Sequence, residues 1–106
     1  MTKALEDIAA ERQRQIEKEG WTPDHDDKND PGELSGAASA YALNAACLLS
    51  PYDGTPTSEA PDCWPPEWDK KWWKPSFDNP RRDLVKAGAL ILAEIERLDR
   101  KGEPHD

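Results

Sequence analysis

The stretch Pro80-Arg81-Arg82-Asp83-Leu84-Val85-Lys86-Ala87-Gly88-Ala89-Leu90-Ile91-Leu92-Ala93-Glu94-Ile95-Glu96-Arg97-Leu98-Asp99-Arg100-Lys101 decides the fold. Leu84, Gly88, Ile91, Ile95 and Leu98 recur at steps of four, three, four and three, the spacing of one helical face. Val85, Ala89 and Leu92 widen that face. Asp78-Asn79-Pro80 is a helix start, with proline suited to the first helical position, and Gly102 is placed as the C-terminal cap. The pattern predicts a helix over 80–101 with this seam buried, and it sets Glu94, Arg97 and Arg100 on faces open to solvent or a partner.

Upstream, residues 50–79 are of another character. The chain holds five Trp and ten Pro, and Trp64, Trp68, Trp72, Trp73 and most of the prolines fall between 51 and 80. So many prolines exclude a continuous helix or a central strand. Pro66 followed by Trp68 and Trp72 allows a short helix over about 66–73. Residues 51–62 have the composition of a disordered segment.

Residues 31–49 read as a second helix. Asp30 is its cap, Pro31 its first position, Glu33 completes the start, and Ser50-Pro51 ends it. Gly36, Ala37, Ala40 and Ala45 mix with Leu34, Tyr41, Leu43, Leu48 and Leu49 on its inner face. Small residues admit close backbone approach, so this is expected to be the central helix. Residues 3–19 contain no Pro or Gly and are rich in helix formers. Leu5, Ile8, Ala9, Arg12 and Ile16 form a thin stripe ending at Gly20, and Trp21 anchors an acidic loop over 20–30. There is no repeat and no β pattern. The class is all-α, one domain over 1–106: three principal helices with a Trp/Pro-rich insert between the second and third.

Composition narrows the partners. The chain has 106 residues, 36% hydrophobic and 34% charged, with a net charge of -8. One small domain is expected. The acidic balance argues against duplex nucleic acid, which requires a basic face. No apolar run is long enough for a membrane helix, and Met1 to Asp7 lacks the apolar stretch of a secretory signal. Cys47 and Cys63 fit neither a zinc framework nor a disulfide scaffold. A reduced cytoplasmic protein is the expectation.

Three groups carry candidate chemistry. Asp24-His25-Asp26-Asp27, with Asp30 and Glu33, supplies oxygen donors suited to Mg²⁺ or Ca²⁺, or else caps turns and the following helix. Arg81 and Arg82 sit where cations oppose the helix dipole, so an anion must answer them: a bound phosphate, or a carboxylate of Asp83, Asp78 or the acidic loop. Trp68, Trp72 and Trp73, interleaved with Lys70, Lys71 and Lys74, pair rings for a base with charge for phosphate, or else form core or an oligomer contact. With Tyr41 of the second helix, Arg81, Arg82, Trp68, Trp72, Trp73 and Lys74 make up the candidate ligand site. His25 and His105 are the only histidines, and no nucleophile elbow or phosphate loop is present.

Glu11-Arg12-Gln13-Arg14-Gln15, Gly20-Trp21, His25-Asp26-Asp27, Gly32-Glu33-Leu34 and Arg82 through Arg100 resemble a group of small phage and prophage proteins. Some of these are similar to divergent MazG-like all-α nucleotide pyrophosphohydrolases. The resemblance covers residues 6–49 and 80–100. Such enzymes hold Mg²⁺ with a Glu-x-x-Glu pair on one helix and a Glu-x-x-Asp pair on the next. Here Glu33 matches a first position with Gly36 at its partner's place, and Glu96-Arg97-Leu98-Asp99 matches the second pattern at the far end of its helix.

The resemblance implies a phage-type nucleotide-binding protein in the bacterial cytosol. With the carboxylate pairs incomplete, the leading expectation is non-catalytic: sequestration of a host nucleotide immune signal, as counter-defence, without a cofactor. The alternative is a Mg²⁺-dependent pyrophosphohydrolase with Glu11, Glu33 and Asp83 among the metal ligands. A second alternative is a protein–protein inhibitor whose acidic surface mimics nucleic acid. The thin first stripe and the broad apolar faces elsewhere imply a homo-oligomer.

Overall fold

Among the described residues there are three principal helices, two of which open on a side-chain cap. The computed structural model describes residues 1–24, 32–50 and 59–102. Among them are α1 (Lys3–Glu19), α2 (Glu33–Leu49) and α3 (Pro80–Lys101), with a single 3-10 turn, Lys70–Trp72, and no strand. The Thr2 hydroxyl accepts from the Leu5 N–H at the start of α1, and Gly20 closes it at φ 73°. Asn79 caps α3 by accepting from the Arg82 N–H, Pro80 occupies the first turn, and Gly102 ends the helix at φ 72°. No helix among the described residues is long and apolar enough to cross a membrane.

The second helix begins later than its sequence suggests. Its cap is Gly32 at φ 89°, with no side-chain hydrogen bond, in place of Asp30 with Pro31. Asp30 and Pro31 lie outside the described residues, as do His25 to Asn29 of the acidic loop and 51–58 of the insert. The expected helix over 66–73 is absent. Asp69 is extended (φ -62°, ψ 130°) and its side chain caps Lys71, so only the 3-10 turn forms.

The central helix is α3 and not α2: it packs against both other helices, which hardly touch each other. Ser35 bonding Glu94 and Asn44 bonding Asp83 show that α2 runs antiparallel to α3. On α1, neighbouring Glu11 and Arg12 reach Arg82 and Glu96. Those partners are about 21 Å apart along α3, so α1 crosses it obliquely.

The buried faces differ from the expected ones. In α3 the buried residues are Asp83, Val85, Ala87, Ala89, Leu90, Ala93, Glu94 and Arg97. Leu84, Ile91 and Ile95 of the expected seam are about half exposed, while Glu94 and Arg97, expected outside, are buried as a pair. In α1 the buried residues are Glu11, Arg12 and Gln15, and Leu5 is exposed. Alanines on both faces let α2 approach α3 closely, and the buried Asp83 and Glu94 are answered there by Asn44 and Ser35 of α2.

The insert completes the core. Trp21, Trp64 and Trp73 are buried with Leu34, Tyr41, Leu90 and the alanines, and Trp68 and Trp72 pack on them half-buried. Trp21 lies 5.4 Å from Trp68 and 5.9 Å from Trp72 between ring centroids. The backbone of the insert presses on α2 at Gly36, where a Cβ would stand 2.7 Å from the Cys63 carbonyl oxygen.

Candidate functional site

The turn before α3 aims its first residues. Ser76 Oγ accepts from the N–H of Asn79 at 2.8 Å, and Asn79 Oδ1 accepts from the Arg82 N–H at 3.1 Å. Arg81 and Arg82 then face Asp7, Glu11 and Arg14, which the spacing i, i+4, i+7 places on one side of α1. Arg81 Nη1 lies 2.9 Å from Asp7 Oδ2, and Arg82 Nη1 lies 2.8 Å from Glu11 Oε1. Arg14 grips Glu11 bidentately, Nε to Oε1 at 2.9 Å and Nη2 to Oε2 at 2.8 Å. A groove of about 320 Å³ runs between these groups, lined by Asp7, Glu11, Arg14, Asn79, Arg81 and Arg82.

Electrostatics inside the groove follow from those pairs. Burial pushes the Glu11 carboxyl upward, and hydrogen bonds from Arg14 and Arg82 outweigh it, holding the group below its ordinary value. The Arg14 guanidinium is in turn held more firmly protonated, chiefly by Glu11. Asp7 is held below its ordinary value by Lys3 and then Arg81.

The charged strip continues to the tryptophans. Arg14 Nη2 reaches Glu19 Oε1 at 3.3 Å, and the same oxygen meets Lys74 Nζ at 3.4 Å. Lys74 lies 5.3 Å from the centre of the Trp72 ring and Lys71 lies 5.4 Å from it. Tyr41 fixes this backbone, its hydroxyl donating to the Trp72 carbonyl and accepting from the Lys74 N–H, both at 3.0 Å. Lys86 stands 5.2 Å over the Tyr41 ring and donates to the Lys74 carbonyl. Burial, then the nearby Arg82, lowers the Lys86 ammonium from its ordinary value.

No family model, curated protein or solved structure matches this chain.

The candidate ligand residues thus fall in two groups joined through Arg14 and Glu19. Arg81 and Arg82 form one, each paired with a carboxylate of α1 rather than with Asp78 or Asp83. Tyr41, Trp68, Trp72, Trp73 and Lys74 form the other. Trp73 is buried, its ring 4.8 Å from Tyr41 and 5.5 Å from Trp64, so it belongs to the core side of that cluster. Trp72 carries its outward, cation-flanked face.

The carboxylates considered for magnesium lie apart. Glu11 is engaged by Arg14 and Arg82, Asp83 by Asn44 and the Ser76 N–H, and Glu33 lies in a separate groove with Cys63 and Trp64. Among the described residues no three His, Cys, Asp or Glu side chains come together where they could hold a metal ion. Glu11, Glu33 and Asp83 therefore do not fit a shared magnesium site.

Asp7, Arg14, Glu19 and Lys86 belong to the strip but do not stand out in sequence. A signal was present in the spacing of Asp7, Glu11 and Arg14 on α1 and of Arg82 and Lys86 on α3. The partners that give that spacing meaning lie on another helix.

Proposed function

We propose that the protein binds a small nucleotide and holds it without cleaving it, with phosphate in the arginine groove and the base against Trp72. The observation that carries this reading is the convergence of Arg14, Arg81 and Arg82 from two helices on one groove, continued by Lys74 beside an outward tryptophan face. Each guanidinium presents five donors, so one spent on a carboxylate keeps others for phosphate oxygens. Along the strip Arg14, Lys74, Arg81, Arg82 and Lys86 outnumber Asp7, Glu11, Glu19 and Asp83 in a chain of net charge -8. Local positive excess on an acidic protein attracts a small anion while the surroundings repel long polyanions.

Sequestration is favoured over hydrolysis because Glu11 and Asp83 direct their oxygens to arginine, asparagine and backbone donors rather than to a common point. Placing the ligand as a host immune signal, and the protein as phage counter-defence, rests on the resemblance of the helical segments. The test is incubation of the purified protein in nucleotide-rich lysate, repurification, heat denaturation and mass spectrometry of what is released. Release of an intact nucleotide, unchanged when Mg²⁺ is added, supports the reading. Mg²⁺-dependent loss of pyrophosphate would replace it with the enzymatic one, and an empty protein that also leaves the nucleotides of the lysate unchanged would overturn both.

A further inference from the structure

The outer face of α3 carries an apolar stripe from Leu84 to Leu98. Leu84, Ile91 and Ile95 are 45%, 48% and 50% exposed, and Leu98 is half-buried. Ile8 of α1 fills the notch between them at Gly88, its Cδ1 2.9 Å from where a Cβ would stand. The inner face is packed by Ala87, Ala89, Leu90 and Ala93, and Leu84, Ile91 and Ile95 are left on the outside. Alternating steps of four and three across a full helix form the seam of a two-helix coiled coil, a more specific pattern than scattered surface leucines.

Charge beside the seam says what covers it. At 3.6 residues per turn, Arg81 and Asp99 project on the same side of the stripe, each about 60° from Leu84, at opposite ends of the helix. A second α3 laid antiparallel about a two-fold axis at Ile91 brings Leu84 to Leu98 of the partner subunit. The same operation brings Arg81, which also pairs with Asp7 of its own chain, within a turn of the partner's Asp99, twice per pair, with helix dipoles opposed. A parallel pairing sets the two Arg81-Arg82 ends at one height and aligns the dipoles. We propose that the occupant of this face is a second copy of the chain, paired antiparallel through Leu84, Ile91, Ile95 and Leu98. The interface is isologous, the commonest closed arrangement, and does not depend on the nucleotide reading.

The experiment uses the full chain free of nucleotide. Sedimentation at high micromolar concentration reads a mass twice the 11.9 kDa of one chain. Ile91→Glu, which sets two carboxylates face to face on the axis, yields a monomer with unchanged helical circular dichroism. Ile95→Lys does the same should Ile91→Glu fold poorly. Orientation is read in a Cys47→Ser/Cys63→Ser background: Leu84→Cys mixed with Leu98→Cys cross-links on oxidation, and Leu84→Cys alone does not. A monomeric wild-type chain overturns the proposal, including one that instead retains another protein on this face. So does a dimer that survives Ile91→Glu and Ile95→Lys, or a cross-link of Leu84→Cys to itself.

Discussion

Asn44 Nδ2 donates to Asp83 Oδ2 at 2.7 Å, and both side chains are wholly buried. Asp83 Oδ1 accepts from the Ser76 N–H at 3.0 Å, and Asn44 also donates to the Ser76 carbonyl at 2.9 Å. One node therefore ties α2, α3 and the approach to α3 together, just behind the two arginines of the groove. Asp83→Ala takes the acceptor from the half-buried Ser76 N–H and from a buried Asn44 donor. Hydrogen bonds to a charged acceptor contribute about 1.5–3 kcal/mol each, so a loss of about 3 kcal/mol or more in urea unfolding is expected. Asp83→Asn does not restore it, because its amide offers only one acceptor oxygen for two donors. A loss below about 1 kcal/mol would mean that the node does not support the fold.

Trp21 tests the tryptophan cluster. Its ring is buried between Trp68 and Trp72, and its carbonyl accepts from Arg12 Nη1 at 2.9 Å. Trp21→Ala removes contacts to both rings at once, and a loss of about 3–5 kcal/mol is expected. Cover over Trp72 is lost as well, so nucleotide affinity falls together with stability. Destabilisation under about 1 kcal/mol would mean that the cluster collapses around the gap.

Helix boundaries other than the start of α2 are legible because single residues mark them. Gly20 and Gly102 adopt the positive φ that their places at helix ends require, and Asn79-Pro80 opens α3 where expected. Which face of α3 turns inward was not legible. Periodicity favours the stripe of Leu84, Ile91 and Ile95, yet only Val85 and Ala89 at its edge are inside, together with Ala87, Ala93, Asp83, Glu94 and Arg97. A buried Asp83 becomes favourable only once Asn44 and Ser76 are in place, 39 and 7 residues away in sequence. A pattern read along one helix contains neither partner. For the same reason the sequence shows that Arg81 and Arg82 need an anion, but not that α1 supplies it through Asp7 and Glu11.

The two arginines should separate when changed singly. Arg81 is itself exposed and pairs with a half-buried Asp7 at the surface, so Arg81→Ala is expected to alter stability by less than about 1 kcal/mol. Arg82 answers Glu11, which is 4% exposed, and Arg82→Ala leaves that carboxylate with Arg14 as its remaining guanidinium partner. A stability loss of about 1–2 kcal/mol follows for Arg82→Ala. In calorimetry with a nucleotide recovered from lysate, Arg81→Ala weakens binding by about 1.5–3 kcal/mol, the contribution of one charged hydrogen bond. Unchanged affinity in Arg81→Ala would take that residue out of the site.

Tyr41 gives the pH dependence on the alkaline side. Burial, reinforced by the negative charges of Glu19, Asp83 and Glu11 and partly offset by the Lys74 N–H bond, pushes its phenol up to about 12. Below pH 10 both folded and unfolded chains keep this proton, and Tyr41 adds no pH dependence. Between about 10 and 12 the unfolded chain releases the proton and the folded chain retains it, so stability falls as pH rises. The full loss is about 2–3 kcal/mol, at 1.36 kcal/mol for each pH unit. Tyr52→Phe leaves Tyr41 as the only tyrosine, and its phenolate absorbance can then be followed against circular dichroism. Absorbance should stay low past pH 10 and rise together with loss of helix. Reversible ionisation near pH 10 with the helices intact would show that the hydroxyl is reached by solvent and is not held between the Trp72 carbonyl and the Lys74 N–H.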